Sequence, residues 1–292
     1  MDRFYAFLAE LAARGALPEP FRYAFVTRGV LAVLLLAPLL GGLSHLVVAR
    51  RLAFFSTALG QAALTGLTLG LLLGEPIQAP YVGVFGFCLL SGILMVYVKR
   101  RSRLPPDTLI GVFLALTLGL GICLLVAATR QFNIHQIEAV MFGSLLTVTD
   151  TDLLLLLVVG AGVLAVLARR YNGLLLDSLS PPLARVAGVD DALVEYLFVV
   201  LLTLAIVVSL KVIGALLVEA LVVVPAAAAR NLARSTRGYL AWSVAVALVT
   251  GLVGIWVSTR FRVPTGGAVV LALAGCFFLT LGAGAWRDRG GK

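Results

Sequence analysis

Apolar stretches of about 18–22 residues recur along the whole chain, each long enough to cross roughly 30 Å of hydrocarbon as a helix. Nothing else in the sequence restricts the fold so strongly. The stretches fall at 27–49, 54–73, 80–98, 108–129, 152–168, 192–210, 212–229, 239–259 and 265–285. They lack the alternating pattern of strands in an outer-membrane barrel. The expectation is an all-α, polytopic membrane protein with about nine spans, or eight if the first does not cross. Composition agrees: 61% of the 292 residues are hydrophobic and 13% are charged. A soluble domain is typically about half apolar and a quarter charged, so these charges are too few to coat a water-facing surface.

Charge placement gives a topology. Loops 50–53, 99–107, 169–191 and 230–238, with the tail after 285, alternate with the other connections and gather most of the 23 Lys and Arg residues. The positive-inside rule makes that side cytoplasmic. The C-terminus is then inside and, with nine spans, the N-terminus outside. The net charge of +9 sits in short clusters between apolar runs, which argues for membrane topology and against nucleic acid as a partner.

Punctuation is local. Arg50-Arg51 separates the first two spans, and Gly74-Glu75-Pro76 is a turn signal after the second. Lys211 and Gly214 interrupt what would otherwise be a sixth span too long for a bilayer. Residues 1–20 read as an amphipathic surface segment, 21–286 as a single transmembrane domain, and 287–292 as a short basic tail. Cys88, Cys123 and Cys276 each lie in an apolar run without CxxC spacing and read as small buried hydrophobes. The outer connection, about 130–151, is too short to span and too apolar for a free loop. It reads as a short interfacial or re-entrant helix, tolerated only against protein or a wet cavity. In the inner connection, 169–191, Ser180 is placed to cap a short amphipathic helix. Pro181 and Pro182 occupy its first turn, Arg185 lies within it and Gly188 ends it. Such a helix either rests on the lipid surface or docks a soluble partner.

Three stretches then bring a family into view. The first runs from Arg50-Arg51-Leu52-Ala53-Phe54-Phe55 into Ala58-Leu59-Gly60-Gln61-Ala62-Ala63-Leu64-Thr65-Gly66. The second, the most specific, runs from Val212-Ile213-Gly214 through Glu219 to Val224-Pro225 and Arg230. The third is Pro264-Thr265-Gly266-Gly267. In order and spacing, from about residue 21 to 282, the chain resembles the ABC-3 family, permeases of zinc, manganese and iron importers with a vitamin B12-importer-like permease fold.

The resemblance implies a bacterial inner-membrane permease that pairs with a second copy of itself around a central pore. It also implies a separate ABC ATPase subunit, an extracytoplasmic solute-binding protein and a surrounding lipid bilayer. The segment Pro181 to Gly188 would be the coupling helix that seats on the ATPase. The chain itself has no GxxxxGK[ST] phosphate loop. The expectation is no cofactor in this chain, ATP being bound by the partner subunit, and no enzymatic activity of its own. Family members with metal substrates usually carry Gly-Asp-Ala-Leu-(Ser/Ala)-His in the second span. Here Thr57 stands at the aspartate position and Gln61 at the histidine position. Neutral hydroxyl and amide oxygens are poorer ligands for zinc or manganese, so the cargo is a metal ion held elsewhere or a chelate.

Polar residues inside or beside the spans are the remaining candidates. Thr57 and Gln61 are four apart and share a helix face, which marks them as transport-path residues. Glu219 stands in an apolar helix, where lipid exposure of a carboxylate is costly. It lines the path with them, hydrogen-bonds a neighbouring helix, or is exposed to water by a tilt of its helix. His135 and Glu138, at i and i+3, share one face of the short outer helix. They are a partial metal site or a solvated docking face. Asp150 and Asp152 either cap the next helix or face the binding protein. His45, near the inner interface, reads as structural. Gly66 and Gly70 form a GxxxG pair suited to close helix packing. The alternative function is a secondary transporter not using ATP, which calls for internal repeats around a midplane site, and no clear repeat is seen. An intramembrane enzyme would need a GxSxG or HExxH motif, and neither is present.

Overall fold

The computed structural model describes residues 24–76, 81–102, 104–128 and 148–290. All regular structure among these residues is helical. In chain order the helices are α1 (Ala24–Ala49), α2 (Phe55–Leu72), α3 (Tyr81–Arg101), α4 (Pro106–Ala128) and α5 (Asp150–Leu179), followed by the short α6 (Pro181–Val186). Then come α7 (Asp191–Ile213), α8 (Ala215–Leu232), α9 (Thr236–Phe261) and α10 (Thr265–Gly290). Among the described residues, nine of these helices, all but α6, are long and apolar enough to cross a membrane. The nine spans expected from the sequence are therefore the nine observed.

Helix ends follow local chemistry. Gly74 adopts a left-handed φ of 92°, and the Glu75 N–H donates to the Gly70 carbonyl at 2.9 Å, a Schellman closure that only a glycine makes cheaply. The Glu75 carboxylate then accepts from the Gly83 N–H at 2.9 Å, satisfying a first-turn donor of α3. Gly214, at φ 78° and ψ 165°, separates α7 from α8. Lys211 stays inside α7, hydrogen-bonds the Tyr81 hydroxyl and stands 4.0 Å over the Tyr81 ring. At the start of α5 the Thr149 N–H and hydroxyl donate to Asp152 Oδ2 at 3.1 and 2.6 Å. The Asp152 N–H returns to Thr149 Oγ1 at 3.3 Å. This is a reciprocal capping box, so Asp152 caps α5, while Asp150 pairs with Arg28 at 3.0 Å.

One boundary differs from the sequence reading. The fifth span was expected to end near 168 and the inner connection to begin at 169, but α5 runs on to Leu179, 30 residues in all. At 1.5 Å per residue that is about 45 Å, well beyond the hydrocarbon thickness. Arg169 and Arg170 mark where an apolar stretch ends, not where a helix ends. The helix runs through Asn172-Gly173, itself a turn signal, and stops only at Ser180-Pro181.

The chain forms two compact units. Among the described residues, one lies within 46–142 and 161–211, the other within 1–45, 143–160 and 212–292. In the first, α2 packs against α3 and α4. The α2–α3 contact is made through glycines: a Cβ on Gly66 would lie 2.6 Å from the Gly83 carbonyl oxygen, and one on Gly83 would lie 2.7 Å from the Gly70 Cα. The GxxxG expectation is met, with Gly83 as its unforeseen partner. In the second unit α8, α9 and α10 pack on one another. His45 is buried, its ring edge-on to Tyr239 at 5.9 Å.

Candidate transport path and coupling site

Most of α2 is enclosed. Its glycine face meets α3, and Thr65 donates its hydroxyl to the Thr117 carbonyl of α4 at 2.8 Å. The half-exposed positions are Thr57, Gln61, Leu64 and Leu69. Thr57, Gln61 and Leu64 follow the i, i+4, i+7 spacing of one helix stripe. The two sequence candidates therefore share a partly accessible face of α2.

Glu219 belongs to the other unit. It is half-buried on α8, whose buried positions include Leu217, Val218, Leu221, Val222 and Pro225. Leu216, Glu219, Val223 and Ala227 form the accessible stripe of that helix. Glu219 thus lies on the partly accessible side of α8. The other metal candidates, His135 and Glu138, lie outside the described residues, as do residues 1–20. Among the described residues no three His, Cys, Asp or Glu side chains are grouped so as to hold a metal ion.

The short helix expected between Pro181 and Gly188 is α6. Pro181 and Pro182 fill its first two positions, Arg185 lies in its last turn, and Gly188 turns the chain away at φ 76°. Ser180 sits at the N-cap with extended backbone, but its side chain makes no capping bond. Pro182 at the second position has no N–H to offer it, and the Ser180 carbonyl accepts from the Ala184 N–H at 3.0 Å. Ala184 is buried, whereas Leu183 is 55% and Val186 is 87% exposed. Arg185 pairs with Asp191 at 3.0 Å, and the Asp190 carboxylate caps α7 by accepting from the Ala192 N–H at 2.8 Å. The result is a braced helix with one small residue turned in and an apolar, basic face turned out.

An ionic cluster beside α6 went unforeseen in the sequence. Arg50, at the corner between α1 and α2, pairs with Asp177 of α5 at 2.8 Å, both side chains being about nine-tenths buried (10% and 11% exposed). The same guanidinium donates to the Leu174 carbonyl at 3.1 Å and lies 4.7 Å from the centre of the Phe198 ring. Burial pulls the Arg50 guanidinium below its ordinary value, and the charges of Asp177 and Glu195 oppose that pull. Glu195 of α7 receives two cations from α3, Lys99 at 2.6 Å and Arg100 at 3.0 Å. Arg50, Arg51, Lys99, Arg100, Asp177, Asp191 and Glu195 line one open cavity of about 390 Å³. Three of the basic connections assigned to one side of the membrane (50–53, 99–107 and 169–191) thus meet at one end of this unit. Sequence gives the cations but not their partners, since Lys99 and Glu195 are 96 residues apart.

Comparison with known proteins agrees with this architecture. Residues 22–283 match the profile of the ABC 3 transport family. The high-affinity zinc uptake system membrane protein ZnuB of Haemophilus influenzae is 30% identical over 256 residues, covering 87% of this chain and 94% of that protein. The manganese import system permease protein ScaB of Streptococcus gordonii is 29% identical over 258 residues, covering 88% and 91%. Among solved structures, PsaBC from Streptococcus pneumoniae in complex with Fab superposes with a TM-score of 0.76 at 27% identity, covering 88% of this chain and 91% of that one.

Proposed function

The chain belongs to the ABC 3 transport family as a membrane-spanning permease, and we propose that it imports a divalent metal ion (zinc, manganese or iron) or its chelate. The observation that carries this reading is the family match across all nine spanning helices, joined to the zinc and manganese systems in which the similar proteins serve. The working assembly is two copies of this chain in a bacterial inner membrane, with the C-terminus cytoplasmic. A separate ATPase subunit binds ATP and docks on α6. An extracytoplasmic solute-binding protein delivers the cargo to the opposite mouth.

Transport then proceeds by alternating access. Thr57 and Gln61 on α2, and Glu219 on α8, are the residues this reading assigns to the path. Neutral oxygens grip a bare divalent ion weakly, while Glu219 supplies negative charge. That chemistry favours a cargo passed along quickly or one that arrives with ligands of its own. His135 and Glu138 are this reading's candidates for a partial metal site or a docking face.

The test is ATP hydrolysis by the reconstituted complex with its binding protein, screened over zinc, manganese, iron and iron chelates. Stimulation by at least one of these is expected. Hydrolysis that ignores all of them, with no uptake, would reject the metal reading.

A further inference from the structure

We propose that Arg50 is a positioning residue that ties α6 to the base of α2, so that a displacement of α6 is delivered to the helix carrying Thr57 and Gln61. The inference rests on the reading of α6 as the ATPase contact, and it adds the route by which that contact reaches the path.

The geometry is as follows. α6 hangs between the end of α5 and the start of α7, and both flanks are anchored to other helices by charge. On the α5 side, Asp177 stands four residues before Pro181 and holds Arg50 at 2.8 Å. On the α7 side, the Phe198 ring lies against the same guanidinium at 4.7 Å. One turn before it, Glu195 grips α3 through Lys99 and Arg100. One side chain, Arg50, therefore touches both helices that flank α6.

Arg50 also sits in a closed corner between α1 and α2. On the α1 side the Arg50 N–H donates to the Leu46 carbonyl at 2.9 Å and the Leu52 N–H to the Val47 carbonyl at 3.0 Å, and on the α2 side the Phe55 N–H donates to the Leu52 carbonyl at 3.0 Å. Arg51 takes a left-handed φ of 57°, and Phe55, in the first turn of α2, is fully buried. Thr57 and Gln61 follow within two turns. A corner so tightly closed moves as a piece, and a planar guanidinium holding a carboxylate and a carbonyl at once transmits direction as well as force. A buried ion pair of this kind is weak evidence for stability. Its cost is understandable if it specifies how these helices move together.

The test uses the full complex of this chain with its ATPase, in a background where Cys88, Cys123 and Cys276 are replaced and Gln61→Cys is introduced. The rate of maleimide labelling at position 61 is measured without nucleotide and with ATP trapped by vanadate. With Arg50 intact, trapping should change the rate by about ten-fold, within the usual range of coupling between sites. In Arg50→Asp the change should fall below about two-fold while ATP hydrolysis persists, and the swapped pair Arg50→Asp/Asp177→Arg should restore it. If Arg50→Asp does not assemble, Arg50→Lys serves. It keeps the charge but lacks the planar guanidinium that lies against the Phe198 ring, and the change should fall to about three-fold. A full response in the assembled Arg50→Asp or Arg50→Lys complex, or no recovery in the swapped pair, would overturn the inference. No response even with Arg50 intact would instead remove the reading of α6 and α2 on which it stands.

Discussion

Gly66 of α2 and Gly83 of α3 meet backbone to backbone: a Cβ on Gly83 would sit 2.5 Å from the Gly66 carbonyl oxygen. No real Cβ tolerates that distance from a backbone atom, so the two helices are as close as they are because neither residue has a side chain. The contact sets the distance between α3 and the rear of α2, and thereby which stripe of α2 stays open.

Gly83→Ala should therefore push the helices apart and cost about 1–3 kcal/mol. Gly86, three residues on, is exposed with nothing within 4 Å of its would-be Cβ, so Gly86→Ala should be tolerated. Thermal unfolding of the two variants in detergent compares them directly. Equal stability would mean that α2 and α3 are not in this contact.

Val186→Asp and Arg185→Glu on α6 should weaken assembly with the ATPase while leaving the isolated permease stable. Val186 is 87% exposed, so it packs on little among the described residues. The Arg185–Asp191 pair, with Arg185 65% exposed, contributes less than about 1 kcal/mol. Co-purification of the ATPase with each variant, beside an unfolding curve of the permease alone, separates the two effects. Normal assembly and normal coupled uptake would take the docking role away from α6.

Arg234 should be cytoplasmic. It is exposed between α8 and α9, and replacing it leaves intact the neighbouring cap in which Ser235 accepts from the Gly238 N–H at 3.1 Å. In a cysteine-free background, Arg234→Cys on sealed cells should resist an impermeant maleimide. Val263→Cys, exposed at the other end of α9, should react. The reverse pattern would invert the topology.

The nine spans were legible because length and apolarity alone decide whether a helix crosses a bilayer. The turn at Gly74, the break at Gly214 and the frame of α6 were legible because proline and glycine act through their own backbone. The extent of α5 was not: Arg169-Arg170 signals an exit from the hydrocarbon, while the helix continues past it and packs Leu174 and Asp177 against Arg50. The ionic cluster was not legible either. Arg50, Lys99 and Arg100 could be read as topology markers, but Asp177 and Glu195 become their partners only when helix ends distant in sequence are brought to one cavity. Thr57 and Gln61 were found by their position in a motif, and their shared open face follows from glycines and threonines that close the rest of α2.

The path itself is tested most directly by metal uptake into proteoliposomes containing the complete transporter. The variants are Gln61→Leu, Glu219→Gln and the double Thr57→Asp/Gln61→His. Glu219→Gln should lose most cation uptake, because it removes the one charge assigned to the path, and an intramembrane carboxylate is costly to keep without a use. Gln61→Leu should slow uptake, and the double variant should shift selectivity toward free zinc or manganese, since carboxylate and imidazole are the better ligands. Uptake at the wild-type rate and selectivity in all three would contradict the account, leaving the permease fold in place with its cargo passing elsewhere.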